Sequence, residues 1–242
     1  ILEREITIFH IKIVKEIETK YRDKIDLVGF HGQTIFHDPD NKTSKQLGDG
    51  NLLSQLTKKT VVYDFRQNDI KNGGEGAPLS PIYHLTLIRA LFNQKKIKVP
   101  ISVLNIGGIS NITEISEDFQ ITSKDIGPGN CLIDKWLRKN SNKLYDKNGY
   151  FAEKGKVDKF IFDQYLENYY YSKINSKRSL DINDFNISFA KGLSLENGAA
   201  TITEITAELI SKKLGDNHIY ICGGGRKNNY LINSLKKKIK NK

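Results

Sequence analysis

Three times along this chain a short apolar run ends abruptly in glycine and small polar residues. Residues 25–30 (IDLVGF) empty into His31-Gly-Gln-Thr34, residues 101–104 into Asn105-Ile-Gly-Gly-Ile-Ser-Asn111, and residues 218–222 into Gly223-Gly-Gly225. Runs this short, rich in Ile and Val and closed by turn residues, read as buried strands. Between them lie helical stripes over 2–22, 51–58, 82–92, 157–169, 196–214 and 229–239, and an amphipathic helix runs from about residue 130 through Trp136. In the first stripe Leu2, Ile6, Phe9, Ile13 and Ile17 share one face, which is expected to be the buried one. Strands are also expected at 44–47 and 61–63, and a hairpin at 112–115 and 119–121 with Glu117-Asp118 at its turn. Strands alternating with helices specify an α/β protein. In open α/β sheets ligands bind beyond the carboxyl ends of the strands, so the polar loops become the functional candidates.

Composition closes off other classes. Of 242 residues, 38% are hydrophobic and 27% charged, too apolar for a disordered chain. No stretch approaches the ~18 consecutive apolar residues of a membrane span, so no membrane role is expected. The net charge of +10 comes from 31 Lys and 7 Arg. The lysines are scattered along solvated faces, and the chain lacks the aromatic–basic interleaving that reads bases, so no nucleic-acid partner is expected. Five lysines crowd 236–242, read as a solvated helix end. Two cysteines, Cys131 and Cys222, make neither a disulfide framework nor a metal pattern and read as small buried residues; the chain is expected to be cytoplasmic. It begins at Ile1 and contains no Met, which reads as a fragment or trimmed chain.

Adjacent glycines at Gly107-Gly108 let main-chain N–H groups approach an anion, with Ser110 and Asn111 as further donors. No Gly-Lys-Ser/Thr follows, so this is not a Walker loop. Gly223-Gly-Gly225 suits a flat ring or a phosphate laid on the backbone, and equally a plain strand-to-helix turn. Arg226 and Asn228-Asn229 suit helix caps as well as ligand contacts. Asp125-Ile-Gly-Pro-Gly-Asn130 reads as a stiff turn holding a carboxylate in place, which suits a general base; Asn130 reads either as part of that site or as the cap of the next helix. His31-Gly-Gln-Thr34, Gly48-Asp-Gly-Asn51, Asp64-Phe-Arg66 and Gly73-Gly-Glu-Gly-Ala-Pro78 crowd hydrogen-bonding groups among glycines, as a sugar site requires. His31 alone also reads as a structural hydrogen-bonder, and Asp69 with Arg66 as a structural ion pair.

Taken together and in this order, HGQT, GDGN, DFR…D…GGEGAP, NIGGISN, D-x-GPGN and the late strand–GGG–R–N resemble the anhydro-N-acetylmuramic acid kinase family over nearly the whole chain. The resemblance implies a two-lobed actin-like ATPase (ribonuclease H-like) fold, incomplete at both ends, with a partial sugar-side lobe at 1–98 and a second lobe at 99–242. It implies ATP and Mg2+ as cofactors, an amino-sugar substrate and a tendency to form homodimers. It makes Asp125 the catalytic base. Asn105, Gly107 and Gly108 fall in the second phosphate loop, and Gly223, Gly224 and Gly225 in the adenosine loop. His31, Gln33, Asp49, Asp64, Arg66, Gly127, Gly129 and Asn130 fall on the sugar side; no residue is assigned to metal. The implied reaction hydrolytically opens 1,6-anhydro-N-acetylmuramic acid and phosphorylates O6 in peptidoglycan recycling.

The chain also departs from the family's pattern. It has no Gly-Thr-Ser-type first phosphate loop and no segment matching the family's C-terminal end. Glu75 stands where the family has Gln, and 177–185 keeps at best Lys177, Ser179 and Phe185 of a Lys-Ser-Thr-Gly-Arg-Glu-like stretch. The alternative is a non-catalytic relative that binds nucleotide or amino sugar. Apolar surface is expected where the absent strands belong.

Overall fold

The computed structural model describes residues 1–21, 25–38, 41–172 and 180–240, and the chain divides into two compact units, Ile1–Leu79 and Ser80–Lys242. Residues 22, 177 and 179, named above, lie outside the described residues.

The first unit runs α1 (Leu2–Tyr21), β1 (Leu27–Phe30), β2 (Gln33–Asp38), β3 (Thr43–Leu47), α2 (Gly50–Thr57), β4 (Thr60–Tyr63) and α3 (Phe65–Lys71). β1 pairs parallel with β4, and β2 antiparallel with β3. Its core is small: Ile11, Phe30 and Leu53, with Ile8, Val28 and Val61 packed against them. The buried face of α1 is Thr7, Ile11 and Val14, not the expected apolar stripe; Leu2, Phe9, Ile13 and Ile17 are exposed. Periodicity finds a stripe but not which neighbour covers it. Here α2 packs against α1 on the Thr7/Ile11 side, and the Thr7 hydroxyl accepts from the Asp49 amide. Two elements went unread in the sequence. Gln33 and Thr34, expected in a loop, start β2, and Phe65–Lys71 is helical rather than loop.

The second unit runs α4 (Ser80–Asn93), β5 (Ile101–Ile106), β6 (Ile109–Ile115), β7 (Ile121–Pro128), α5 (Cys131–Asn140), α6 (Tyr150–Lys154), α7 (Lys159–Tyr171), α8 (Leu195–Lys213), β8 (His218–Cys222) and α9 (Asn229–Lys240). The sheet order is β7-β6-β5-β8, with β5 and β8 parallel and the other pairs antiparallel. One face (Leu104, Ile106, Ile112, Ile126) is sealed by Ala207, Ile210 and Leu214 of α8 and Leu231 and Leu235 of α9. On the other face α4 covers Ile101, Val103 and Ile115 with Ile88, and His84 Nδ1 meets Thr113 Oγ1 at 2.9 Å. A further layer joins Leu132, Trp136 and Leu137 of α5 to Ile202 and Ile205 of α8.

Close packing decides several residue types. A Cβ at Gly198 would lie 2.1 Å from the Trp136 ring; only glycine lets α8 pass so near an indole. Trp136 Nε1 donates to Leu195 O at 2.8 Å, satisfying the buried ring. Lys238, expected at a solvated helix end, instead ties α9 to α8 through Glu204 (3.2 Å) and Glu208 (2.9 Å).

β7 does not stop at Asp125. It continues through Gly127 and Pro128, so the expected turn begins only at Gly129. A proline is tolerated there because β7 is an edge strand, where a missing N–H breaks no ladder bond. The pairing Ser110↔Gly127 followed by Asn111↔Asp125 leaves Ile126 as the extra residue of a β-bulge.

Candidate active site

The sheet register of the second unit sets out a row of polar side chains. Cys222 of β8 pairs with Asn105 of β5, Asn105 with Asn111 of β6, and Asn111 with Asp125 of β7. Cross-strand partners project from the same face, so four strands each place one polar group at the same level. The row lies at the carboxyl end of β5, past the residues that α4 covers. The bulge at Ile126 falls beside Asp125, and bulges of this kind re-aim a neighbouring side chain. Cys222 Sγ lies 3.7 Å from Asn105 Oδ1. Asn111 Oδ1 is buried with no hydrogen-bond partner.

Asp125 is half-buried, and burial raises its pKa above the ordinary aspartate value; a hydrogen bond from the Leu180 amide to Oδ2 (2.9 Å) works in the opposite direction. The first effect disfavours charge and the second stabilises it. The net effect is a carboxylate more basic than an exposed one.

Beside this row the Gly107-Gly108 turn is locked to the β7–α5 junction, and Gly223–Gly225 pack against the end of β5. Gly129 N and Cys131 N donate to Gly108 O (2.9 and 3.1 Å), and Asn130 N donates to Gly107 O (2.7 Å). A Cβ at Gly129 would sit 2.3 Å from Gly107 O, one at Gly223 2.4 Å from Asn105 Oδ1, and one at Gly225 2.3 Å from Ile106 Cγ2. The Gly107 amide is turned inward to Ile109 O (3.2 Å). Asn130 makes no side-chain cap to α5; its Nδ2 donates to Gly107 O at 3.0 Å, and its Oδ1 lies 3.2 Å from where a Gly225 Cβ would stand. Asn130 therefore braces the Gly107 turn rather than capping α5. Asn228 does cap its helix, accepting from Leu231 N at 3.0 Å, and Arg226 donates to Gly223 O at 2.8 Å.

A cavity of about 410 Å3 opens against Asn130 and Gly224, with Asp134, Tyr145, Lys147 and Lys227 on its walls. Burial pushes the Asp134 carboxyl up to about 6, with Arg138 at 3.7 Å opposing the change. The Cys131 thiol is driven up to about 11 by burial, which leaves it a packing residue rather than a nucleophile.

The first unit gathers its candidates differently. Arg66 Nε donates to His31 Nε2 (3.0 Å), and Nη1 to Gly76 O (2.7 Å). The His31 proton is therefore on Nδ1, donating to Gly32 O at 3.0 Å. Asp69 Oδ2 accepts from Gly76 N at 2.7 Å, so Arg66 and Asp69 both grip one glycine. Asp49 caps α2 through Leu52 N (2.9 Å), Asp64 is exposed at φ 59° before α3, and Gln33 Nε2 donates to Thr34 O at 3.3 Å. His31 and Arg66 are thus brought together, while Asp49 is occupied in a cap. The Leu180 amide was not legible as a site group; it lies 55 residues from Asp125, and no local pattern announces it.

Among the described residues no three His, Cys, Asp or Glu side chains gather as a metal cage. No described helix is long and apolar enough to cross a membrane.

A sheet end carrying a shielded carboxylate between glycine bends marks an α/β domain built to hold a ligand. Comparison with known proteins narrows the class: the anhydro-N-acetylmuramic acid kinase family model matches residues 2–242, and the chain belongs to that family. It is 49% identical over 98% of its length to anhydro-N-acetylmuramic acid kinase of Pelagibacter ubique, 41% identical over 98% to that of Zymomonas mobilis and 40% identical over 96% to that of Agrobacterium fabrum. It spans 65%, 66% and 64% of those proteins, just under two-thirds. Among solved structures, an activator of 2-hydroxyisocaproyl-CoA dehydratase from Clostridium difficile with bound ADPNP aligns over 88% of this chain and 84% of its own, at 11% identity and a TM-score of 0.41.

Proposed function

We propose that this chain carries the chemistry of an ATP-dependent kinase that opens 1,6-anhydro-N-acetylmuramic acid with water and phosphorylates O6. The products are N-acetylmuramic acid 6-phosphate and ADP, in cytoplasmic recycling of peptidoglycan. The observation that carries the reading is Asp125: a half-buried carboxylate at a bulge, one oxygen fixed by the Leu180 amide, in line with Asn105 and Asn111 and beside two glycine bends.

In this reading Asp125 takes a proton from a water molecule as the water oxygen bonds to the anomeric carbon. The bond from that carbon to the bridging oxygen breaks, its electron pair staying on O6. O6 then takes the γ-phosphoryl group and ADP departs. Raising the base's pKa toward the working pH strengthens proton abstraction, and a positioned base contributes on the order of 10²–10⁴ in rate. The Gly107-Gly108 turn faces the phosphates and Gly223–Gly225 the adenosine, whose base suits the neighbouring cavity. Mg2+ bound with the nucleotide supplies charge neutralisation at the transferring phosphoryl group. His31 and Arg66, together with Gln33, Asp49 and Asp64, are assigned to the sugar, and Gly127, Gly129 and Asn130 shape the sugar side of the base. We read the two units as partial lobes of an actin-like ATPase.

Asp125→Asn tests the reading. Turnover in a coupled ADP-release assay falls by at least about 10²-fold, while ADP affinity measured by calorimetry is unchanged. A variant that keeps the parent rate removes Asp125 from the mechanism. The alternative reading is a binding protein that holds nucleotide or amino sugar without turnover. Binding of ADP and anhydro sugar without any turnover by the unsubstituted chain would establish it.

A further inference from the structure

The Leu180 amide that touches Asp125 opens a short segment whose Leu180 side chain packs against the core around α5 and α8. Residues 180–185 form one 3-10 turn, Ile182–Asp184, closed on itself by Asp181 and Asp184: Asn183 N donates to Asp181 Oδ1, and Asp181 N to Asp184 Oδ2, each at 2.8 Å. That box stiffens the turn. Phe185 is buried and anchors the far end against Tyr169 (ring centroids 6.5 Å apart). Ile182 is exposed and lies over Gly108, 3.3 Å from where a Cβ would stand. The near end of the turn is held by Lys135, whose ammonium donates to Ile182 O and, at 2.7 Å, to Phe185 O.

Lys135 lies ten positions after Asp125, on the helix that β7 feeds into. One rigid strand–helix unit therefore grips the segment twice, by the carboxylate at Leu180 and by the ammonium at Ile182 and Phe185. An ammonium spent on main-chain carbonyls is a costly choice unless the placement of that main chain matters. We propose that Lys135 is the positioning residue of the site, holding 180–185 so that the Leu180 amide keeps one oxygen of Asp125 fixed. This rests on Asp125 being the base.

The test follows the Leu180 amide in 15N-labelled chain through a pH titration. In the parent chain the resonance moves in a single step as Asp125 ionises, and the step vanishes in Asp125→Asn. In Lys135→Met the step is lost, and the amide exchanges with solvent at least about tenfold faster. Lys135→Arg, which offers two N–H groups in a fork, restores both. Turnover of Lys135→Met falls about 10- to 100-fold, the scale of a misplaced catalytic group. A folded Lys135→Met with the parent's titration step and exchange rate overturns the proposal, as does failure of both Lys135→Met and Lys135→Gln to fold, since the lysine would then serve the core. If Asp125→Asn keeps full turnover, the base assignment fails by itself, and the titration step still decides whether Lys135 sets the Leu180 contact.

Discussion

The two units of this chain are built on cores of different depth, and glycine serves two different ends in their loops. In the second, the loops end strands of a four-stranded sheet covered by α8 and α9, and glycines are chosen because main chain passes within van der Waals contact of main chain. In the first, sheets of two strands rest on a core of three buried residues, and Gly73 stands in open space at φ +88°. At Gly129, as at Gly32 of the first unit, glycine is a spacing requirement; at Gly73 it serves only the backbone angle. A loop locked by packing holds its groups in place before a ligand arrives, whereas a loop held by a few exposed hydrogen bonds relies on the ligand to order it.

Alanine substitution at one glycine of each kind is the largest break of that contrast. In Gly129→Ala the new methyl meets Gly107 O at 2.3 Å, and both partners are main chain that cannot swing aside. The β7–α5 junction must part from the turn, at a cost of about 3 kcal/mol or more, the upper range of overpacking. Gly73→Ala meets no atom within 4 Å and bears only the left-handed backbone, about 1 kcal/mol. Urea denaturation of the two variants gives the comparison, and equal losses would dissolve it.

How much of this was legible in the sequence follows the same division. Strand–glycine–helix punctuation located the β5–β6 turn, Gly223–Gly225 and the β7–α5 junction, because those features are local. The Gly-Pro-Gly motif singled out Asp125 and the resemblance made it the base; the fold puts it in one row with Asn105 and Asn111. The sequence pattern missed the extension of β7 through Pro128, since a proline reads as a stop unless the strand is known to lie at an edge. It put the wrong face of α1 inside, since a stripe carries no information about which side a neighbour will cover. The Leu180 and Lys135 contacts were beyond any pattern, joining residues 55 and up to 50 positions apart.

A smaller effect separates the charged wall of the cavity beside Asn130 and Gly224 from the packing around it. Asp134 has its pKa raised by burial to about 6 from an ordinary 3.8. A carboxyl raised in this way keeps its proton in the folded chain over a window where the unfolded chain has lost it. Stability is therefore greatest below about pH 4, falls as pH climbs to about 6, and stays lower above. Asp134→Asn removes the titration. Its melting temperature should depend less on pH across that window. At pH 7 the variant should gain on the order of 2 kcal/mol, because each tenfold change in proton affinity between the folded and unfolded chains is worth about 1.4 kcal/mol. An unchanged pH profile would mean that water in the cavity solvates the charge already.

The smallest effect belongs to the first unit and tests how its loops are held. Arg66 spans two partners, His31 Nε2 and Gly76 O, with different nitrogens of one planar group. Lysine carries the same charge on a single nitrogen and cannot make both bonds in that geometry. Arg66→Lys should cost only about 1 kcal/mol, because the bonds are partly exposed. The imidazole gives the finer reading. With Nε2 accepting from Arg66, the proton sits on Nδ1; released from that donor, the ring moves toward the Nε2–H form, which imidazole 15N chemical shifts report. If His31 stays an Nδ1–H tautomer in Arg66→Lys, its bond to Gly32 O suffices to orient it, and the first unit's loop is more firmly built than the contrast with the second unit allows.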